Sequence, residues 1–134
     1  MAVDDEERRR EYPGNRFSRQ ILRQDLSELT QRLNDEEFGE GHLEQGHNQI
    51  ELYRQNGTTV SLFVLDEGAV LPEHSVDDGS VMIQVLDGRI RLEAGSGTED
   101  IQAGGGTVVT LQEGVSHGIT ATESSRLIVT IMRD

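Results

Sequence analysis

The sequence predicts an all-β domain, a barrel or sandwich of short antiparallel strands preceded by one amphipathic helix. Three observations carry this expectation. Apolar residues recur at every second position from Asn48 onward. Turn dipeptides punctuate these runs at short intervals. Before Asn48 the apolar spacing is three to five residues, the period of a helix face.

Length and composition frame the reading. The 134 residues suit one domain, and a compact chain of this size buries roughly two-thirds of its unfolded surface. There is no cysteine, which excludes disulfides and thiolate metal sites. No apolar run approaches the ~20 residues of a membrane helix. Met1 to Glu11 is a charge run with no apolar stretch behind it, unlike a signal peptide. The expectation is a cytoplasmic protein with no membrane partner. Acidic residues number 25 against 12 basic ones, for a formal charge of −13. Such a surface repels phosphate, so nucleic acid is not an expected partner.

Residues 1–14 read as a disordered tail: Asp4 to Glu7 run into Arg8 to Arg10 with nothing apolar to bury, and Pro13-Gly14 close the segment. A single domain is expected over 15–134. Within it, Phe17, Ile21, Leu22, Leu26, Leu29 and Leu33 form one stripe, and Arg19, Arg23, Gln24, Glu28 and Arg32 cover the other face. This predicts a helix over about 17–33 that packs against the barrel or a partner subunit. Residues 34–47 are polar and punctuated by glycine, as in a loop.

The barrel is expected over about 45–133. Ile50 and Leu52, then Val60, Leu62 and Val64, then Val81, Ile83 and Val85 alternate with other side chains. Further β-rich runs are Arg89–Glu93, Thr107–Leu111, His117–Thr122 and Arg126–Met132. Asn56-Gly57, Asp87-Gly88 and Gly95-Ser96-Gly97 mark turns, and Asp87-Gly88 carries the strongest hairpin signal. Gly104-Gly105-Gly106 precedes a strand, with neither helix nor Lys after it, and so is not a phosphate loop. Ile50 and Leu52 imply that even positions of the first strand point inward.

Two segments carry chemistry. The first runs from Gly68 through His74 to Gly88; the second from Gly106 through Gly114 to His117. Their spacing resembles the two motifs of the cupins, and most of all a group of small, largely uncharacterised bacterial members of the RmlC-like cupin superfamily. The resemblance covers roughly residues 45–133. It implies a double-stranded β-helix, or jelly-roll barrel, with one N-terminal amphipathic helix. In metal-binding cupins three His and one Glu converge inside the barrel on Fe, Mn, Ni, Cu or Zn. Carried over residue by residue, His74 and His117 remain, the second His position is Val76 and the Glu position is Val81. Gln112 and Ala121 replace the Pro and Asn of the second motif.

Val76 and Val81 ligate nothing, and two neutral imidazoles fall short of the three protein ligands that open zinc sites usually have. The expected cofactor is therefore none. The alternative is one transition-metal ion held by His74, His117 and a non-standard third ligand. Asp78, in the turn after His74, is a candidate third ligand alongside Asp77. Glu113 reads as solvated, and His42 and His47 as exposed loop histidines. The expected function is binding of a small, largely apolar molecule in a pocket formed by His74, Val76, Val81, Ile83 and His117. The alternative is a metal-dependent enzyme of dioxygenase or isomerase type. A metal-free route through a His base and Tyr53 as acid stays open beside it. Cupins of this size commonly pair, so a homodimer is expected, with barrel edges protected by strand exchange.

Overall fold

A computed structural model of the chain describes residues 22–34, 38–41, 43–95 and 99–133. The expected tail over 1–14 and the stripe from Phe17 to Ile21 lie outside them. Among the described residues, one short α-helix and a single 3-10 turn (Leu43–Gln45) precede nine strands: α1 (Leu26–Arg32), β1 (His47–Gln55), β2 (Thr58–Leu65), β3 (Val70–His74), β4 (Gly79–Asp87), β5 (Arg89–Ala94), β6 (Glu99–Gly104), β7 (Val108–Leu111), β8 (His117–Ala121) and β9 (Ser125–Arg133). Five strands form one sheet in the order β1-β2-β9-β4-β7, and four form the other in the order β3-β8-β5-β6. All pairings are antiparallel. From β2 onward, apart from the β5–β6 hairpin, the chain passes back and forth between the sheets, the winding of a jelly-roll barrel.

That winding corrects the reading of Asp87-Gly88. β4 pairs with β7 and β9, whereas β5 pairs with β6 and β8, so the dipeptide is a corner between sheets and not a hairpin. Only Gly88 has positive φ, +85°, and a side chain there would collide with Ser124 and Ser125. The two-residue turn with both centres at positive φ is Asn56-Gly57, which joins β1 to β2 (φ +51° and +81°). β6 was not anticipated; its residues mix Gly, Ala and charge and carry little β-propensity.

Two apolar clusters form. The larger fills the barrel with Val81, Ile83 and Val85 of β4, Ile90 and Leu92 of β5, Ile119 of β8 and Leu127 of β9. The smaller lies outside the five-stranded sheet, where Leu29, Leu33 and Phe38 cover Ile50, Leu52, Leu62 and Ile128. This overturns the inward assignment of Ile50 and Leu52. Even positions of β2, and of β1 as far as Leu52, face the helix, and the odd positions there face the barrel. A continuous apolar helix face needs an apolar sheet face to bury it, and β1 and β2 supply one.

The helix is shorter than its stripe predicts. Asp25 caps it, its side chain accepting from the Glu28 N–H at 3.0 Å. Just before the cap, Gln24 donates to the Leu52 carbonyl at 2.9 Å, holding residues 22–25 on β1 in non-helical form. After the helix, the chain folds back over Asn48, which is 1% exposed. Asn48 donates to the Leu33 carbonyl at 2.8 Å and accepts from the Gly41 N–H at 2.9 Å. The Glu40 N–H donates to the Gln49 carbonyl at 2.7 Å. Glu40 and Gly41, within the loop expected over 34–47, are thus clamped onto the outer edge of β1, leaving less of that edge open to pairing.

Candidate functional site

A cavity of about 410 Å³ lies inside the barrel, lined by residues of β1, β2, β3, β4, β8 and β9 together with Glu40. His74 ends β3 and His117 begins β8; the two are register partners. Their rings lie 4.2 Å apart between centroids, tilted by 59°. His117 is 3% exposed, whereas His74 is exposed. In each case Nδ1 sits 3.2 Å from the carbonyl oxygen two residues earlier, that of Pro72 for His74 and of Val115 for His117. A carbonyl only accepts, so each Nδ1 carries a proton, and in the neutral imidazole each Nε2 is left as an acceptor. Burial holds the His117 pKa below the usual imidazole value; its bond to Val115 opposes this and the neighbouring His74 adds to it.

Val81 and Ile83 of β4, Val129 and Ile131 of β9, and Phe63, Leu71 and Ile119 supply apolar lining. Val76 does not line the cavity; it packs in the barrel core at 7% exposure. Besides Pro72 and Glu40, the rest of the lining is polar and comes from the odd positions of the hairpin: Gln49 and Glu51 from β1, Thr59 and Ser61 from β2. Turning Ile50 and Leu52 inward had placed Gln49 and Glu51 outward. Their signal was present in the helix stripe, which demands an apolar partner on the opposite face.

A β-bulge between Glu51 and Tyr53 then changes the parity of β1. It returns Arg54 to the face of Glu51, and Oε1 of Glu51 accepts from Arg54 Nε at 2.9 Å and Nη2 at 2.6 Å. It also sets Tyr53 opposite Val60, whose side chain packs on the outer cluster. The Tyr53 hydroxyl donates to Gln55 at an exposed position, 2.7 Å away. Tyr53 is therefore outside the cavity, which removes the His–Tyr acid–base pair considered from the sequence.

The other expected donors also lie elsewhere. Asp78 pairs with Arg133 at 3.3 Å on the surface, Asp77 accepts from Ser75, and neither lines the cavity. The Asp-Asp-Gly segment turns outward, as turn chemistry favours. Glu113 is exposed. His47 is buried at the start of β1, not exposed as its loop context suggested. His42 lies outside the described residues. Among the described residues no group of three or more His, Cys, Asp or Glu is placed to hold a metal ion. The donor set at the two imidazoles does not fit the three-His, one-Glu site of metal-binding cupins.

No family model matches the sequence, and no curated protein does. Solved structures do match the fold. An RmlC-like cupin from Desulfovibrio desulfuricans is 27% identical, with 66% of this chain and 84% of that one covered and a TM-score of 0.61. An RmlC-like cupin from Shewanella frigidimarina is 18% identical over 75% of this chain and 88% of that one, TM-score 0.63. The chain has the cupin fold. A predicted oxalate decarboxylase from Thermotoga maritima, 18% identical over 66% of this chain and 81% of that one, has a TM-score of 0.61. In this chain the motif glycines Gly68, Gly88, Gly106 and Gly114 all have φ between +78° and +89°. They sit at the turns between strands, so the motif spacing is the spacing of the barrel's corners. No helix among the described residues is long and apolar enough to cross a membrane.

Proposed function

We propose that this cupin binds a small molecule with a largely apolar body in the barrel cavity, oriented by hydrogen bonds to His74 and His117 and without a transition metal. One observation carries the reading: the wall shared with the two imidazoles is apolar at Val81 and Ile83, and Val81 occupies the motif position of the metal-binding carboxylate. A concave site with an apolar wall and a few directed polar groups is the usual form of a small-molecule pocket. Each Nε2 offers one lone pair to a donor on the ligand.

The test has two parts. Metal content is measured by mass spectrometry on protein purified without chelator, for wild type and for His74→Ala. A stoichiometric metal lost in the variant would overturn the proposal and bring the metal-dependent enzyme forward. Small apolar compounds bearing one donor are then screened by the imidazole ring signals in NMR. Binding that survives unchanged in both His74→Ala and His117→Ala would remove the histidines from the site. The homodimer belongs to the same proposal, and light scattering at micromolar concentration checks it.

A further inference from the structure

We infer that the cavity selects a small organic cation, an amine carried on an apolar body; this deepens the binding reading above and rests on it.

The argument is one of donors, acceptors and charge. Among the described residues that line the cavity there is no Lys or Arg, while Glu40 and Glu51 are both present. The Glu51 side chain is 22% exposed. Both Arg54 bonds go to its Oε1, and among the described residues Oε2 takes no protein donor. The two imidazoles turn acceptors, not donors, to a ligand, because each Nδ1 is committed to a backbone carbonyl. An ammonium has three donors and no acceptor and so complements this set. A carboxylate would face the lone pairs of both imidazoles and both glutamates, with only the neutral donors of Gln49, Thr59 and Ser61 and no cation in the described lining to compensate. Arg54, the cation nearest to Glu51, is 68% exposed and is not part of the lining. Val129, Ile131 and Ile83 would take the apolar body. The formal charge of −13 adds long-range attraction for cations and repulsion for anions.

The experiment titrates the full chain with three probes of similar branched carbon skeleton: isoamylamine, isoamyl alcohol and isovalerate. Ring signals of His74 and His117 report occupancy. The amine is expected to bind most tightly and isovalerate least. Glu51→Gln should weaken the amine about fivefold, the scale of a partly exposed ion pair, and the alcohol by less. Arg54→Gln, an exposed change that frees Oε1, should strengthen the amine. Isovalerate binding as tightly as the amine, or an amine affinity that ignores both substitutions, would overturn the inference. If the alcohol binds and the amine shows no preference, the charge argument falls while the binding reading stands. If none of the three moves the ring signals, both fall.

Discussion

Gly88 offers a quantitative test of the corner between the two sheets, because a second glycine supplies its control. An alanine at either Gly88 or Gly106 adopts left-handed backbone, φ +85° and +89°, which costs about 1–2 kcal/mol. The two positions differ in their surroundings. A Cβ at Gly106 meets nothing within 4 Å, whereas one at Gly88 would overlap the Ser124 carbonyl and Ser125 Oγ and lie 2.6 Å from Ser125 Cα. Backbone atoms cannot rotate aside as a side-chain tip can, so relieving the overlap moves the chain, at about 1–3 kcal/mol for an overpacked site. The movement also disturbs Ser125 Oγ, which accepts from the Arg89 N–H at 3.0 Å and donates to the Glu123 carbonyl at 2.7 Å. Losing one such bond costs about 1 kcal/mol. Gly88→Ala should therefore lose about 3–6 kcal/mol, and Gly106→Ala about 1–2 kcal/mol. Urea unfolding followed by far-ultraviolet circular dichroism measures both. Equal losses would refute the reasoning, since the contact at Ser124 and Ser125 is all that separates the two sites.

Asn48→Ala removes the clamp between the helix end and β1 and leaves the Leu33 carbonyl without its Asn48 donor; a loss of about 2–3 kcal/mol in the same assay is expected, and a change under about 0.5 kcal/mol would mean that the clamp is dispensable. Protonation of His117 is disfavoured in the fold, so the unfolded chain takes up its proton first. Stability should then fall as pH drops through the ordinary imidazole value near ~6.5 toward the lower folded value. The difference between wild type and His117→Gln isolates this slope from that of the carboxylates, and no difference between pH about 5 and 7 would contradict it. Val81→Glu adds a carboxylate to the cavity wall beside the two imidazoles. It should raise zinc affinity at least about tenfold and give a zinc-dependent rise in melting temperature that His117→Ala abolishes; no gain would show that position 81 is not directed at the histidine pair.

The fold class was legible because the period-two runs of β4 and β8 and the corner glycines point the same way. In β4, alternate residues Val81, Ile83 and Val85 are buried in the barrel, and nothing competes with that reading. In β1 and β2 the same period supports two opposite assignments. Both faces of the five-stranded sheet are covered, one by barrel and one by helix, and hydrophobic alternation says only that the faces differ. The bulge before Tyr53 is invisible in composition, yet it decides that Arg54 and not Tyr53 shares the face of Glu51. Asp87-Gly88 misled because a tight hairpin and a corner between sheets both call for a glycine at positive φ. At the site, His74, His117 and Val81 come from motif spacing, and Ile83 from the alternation of its strand. Gln49, Glu51, Thr59 and Ser61 depend on long-range pairing that no local pattern encodes.

The five-stranded sheet is a partition one backbone thick. Neighbouring residues of β9 take opposite sides of it, with Ile128 under the helix and Val129 on the cavity. Whatever repacks Leu29, Leu33 or Phe38 pushes on the far side of the wall that a ligand would touch. A directed-evolution library aimed at retuning the cavity should therefore include the helix-facing layer, where substitutions can reshape the pocket without contacting its contents.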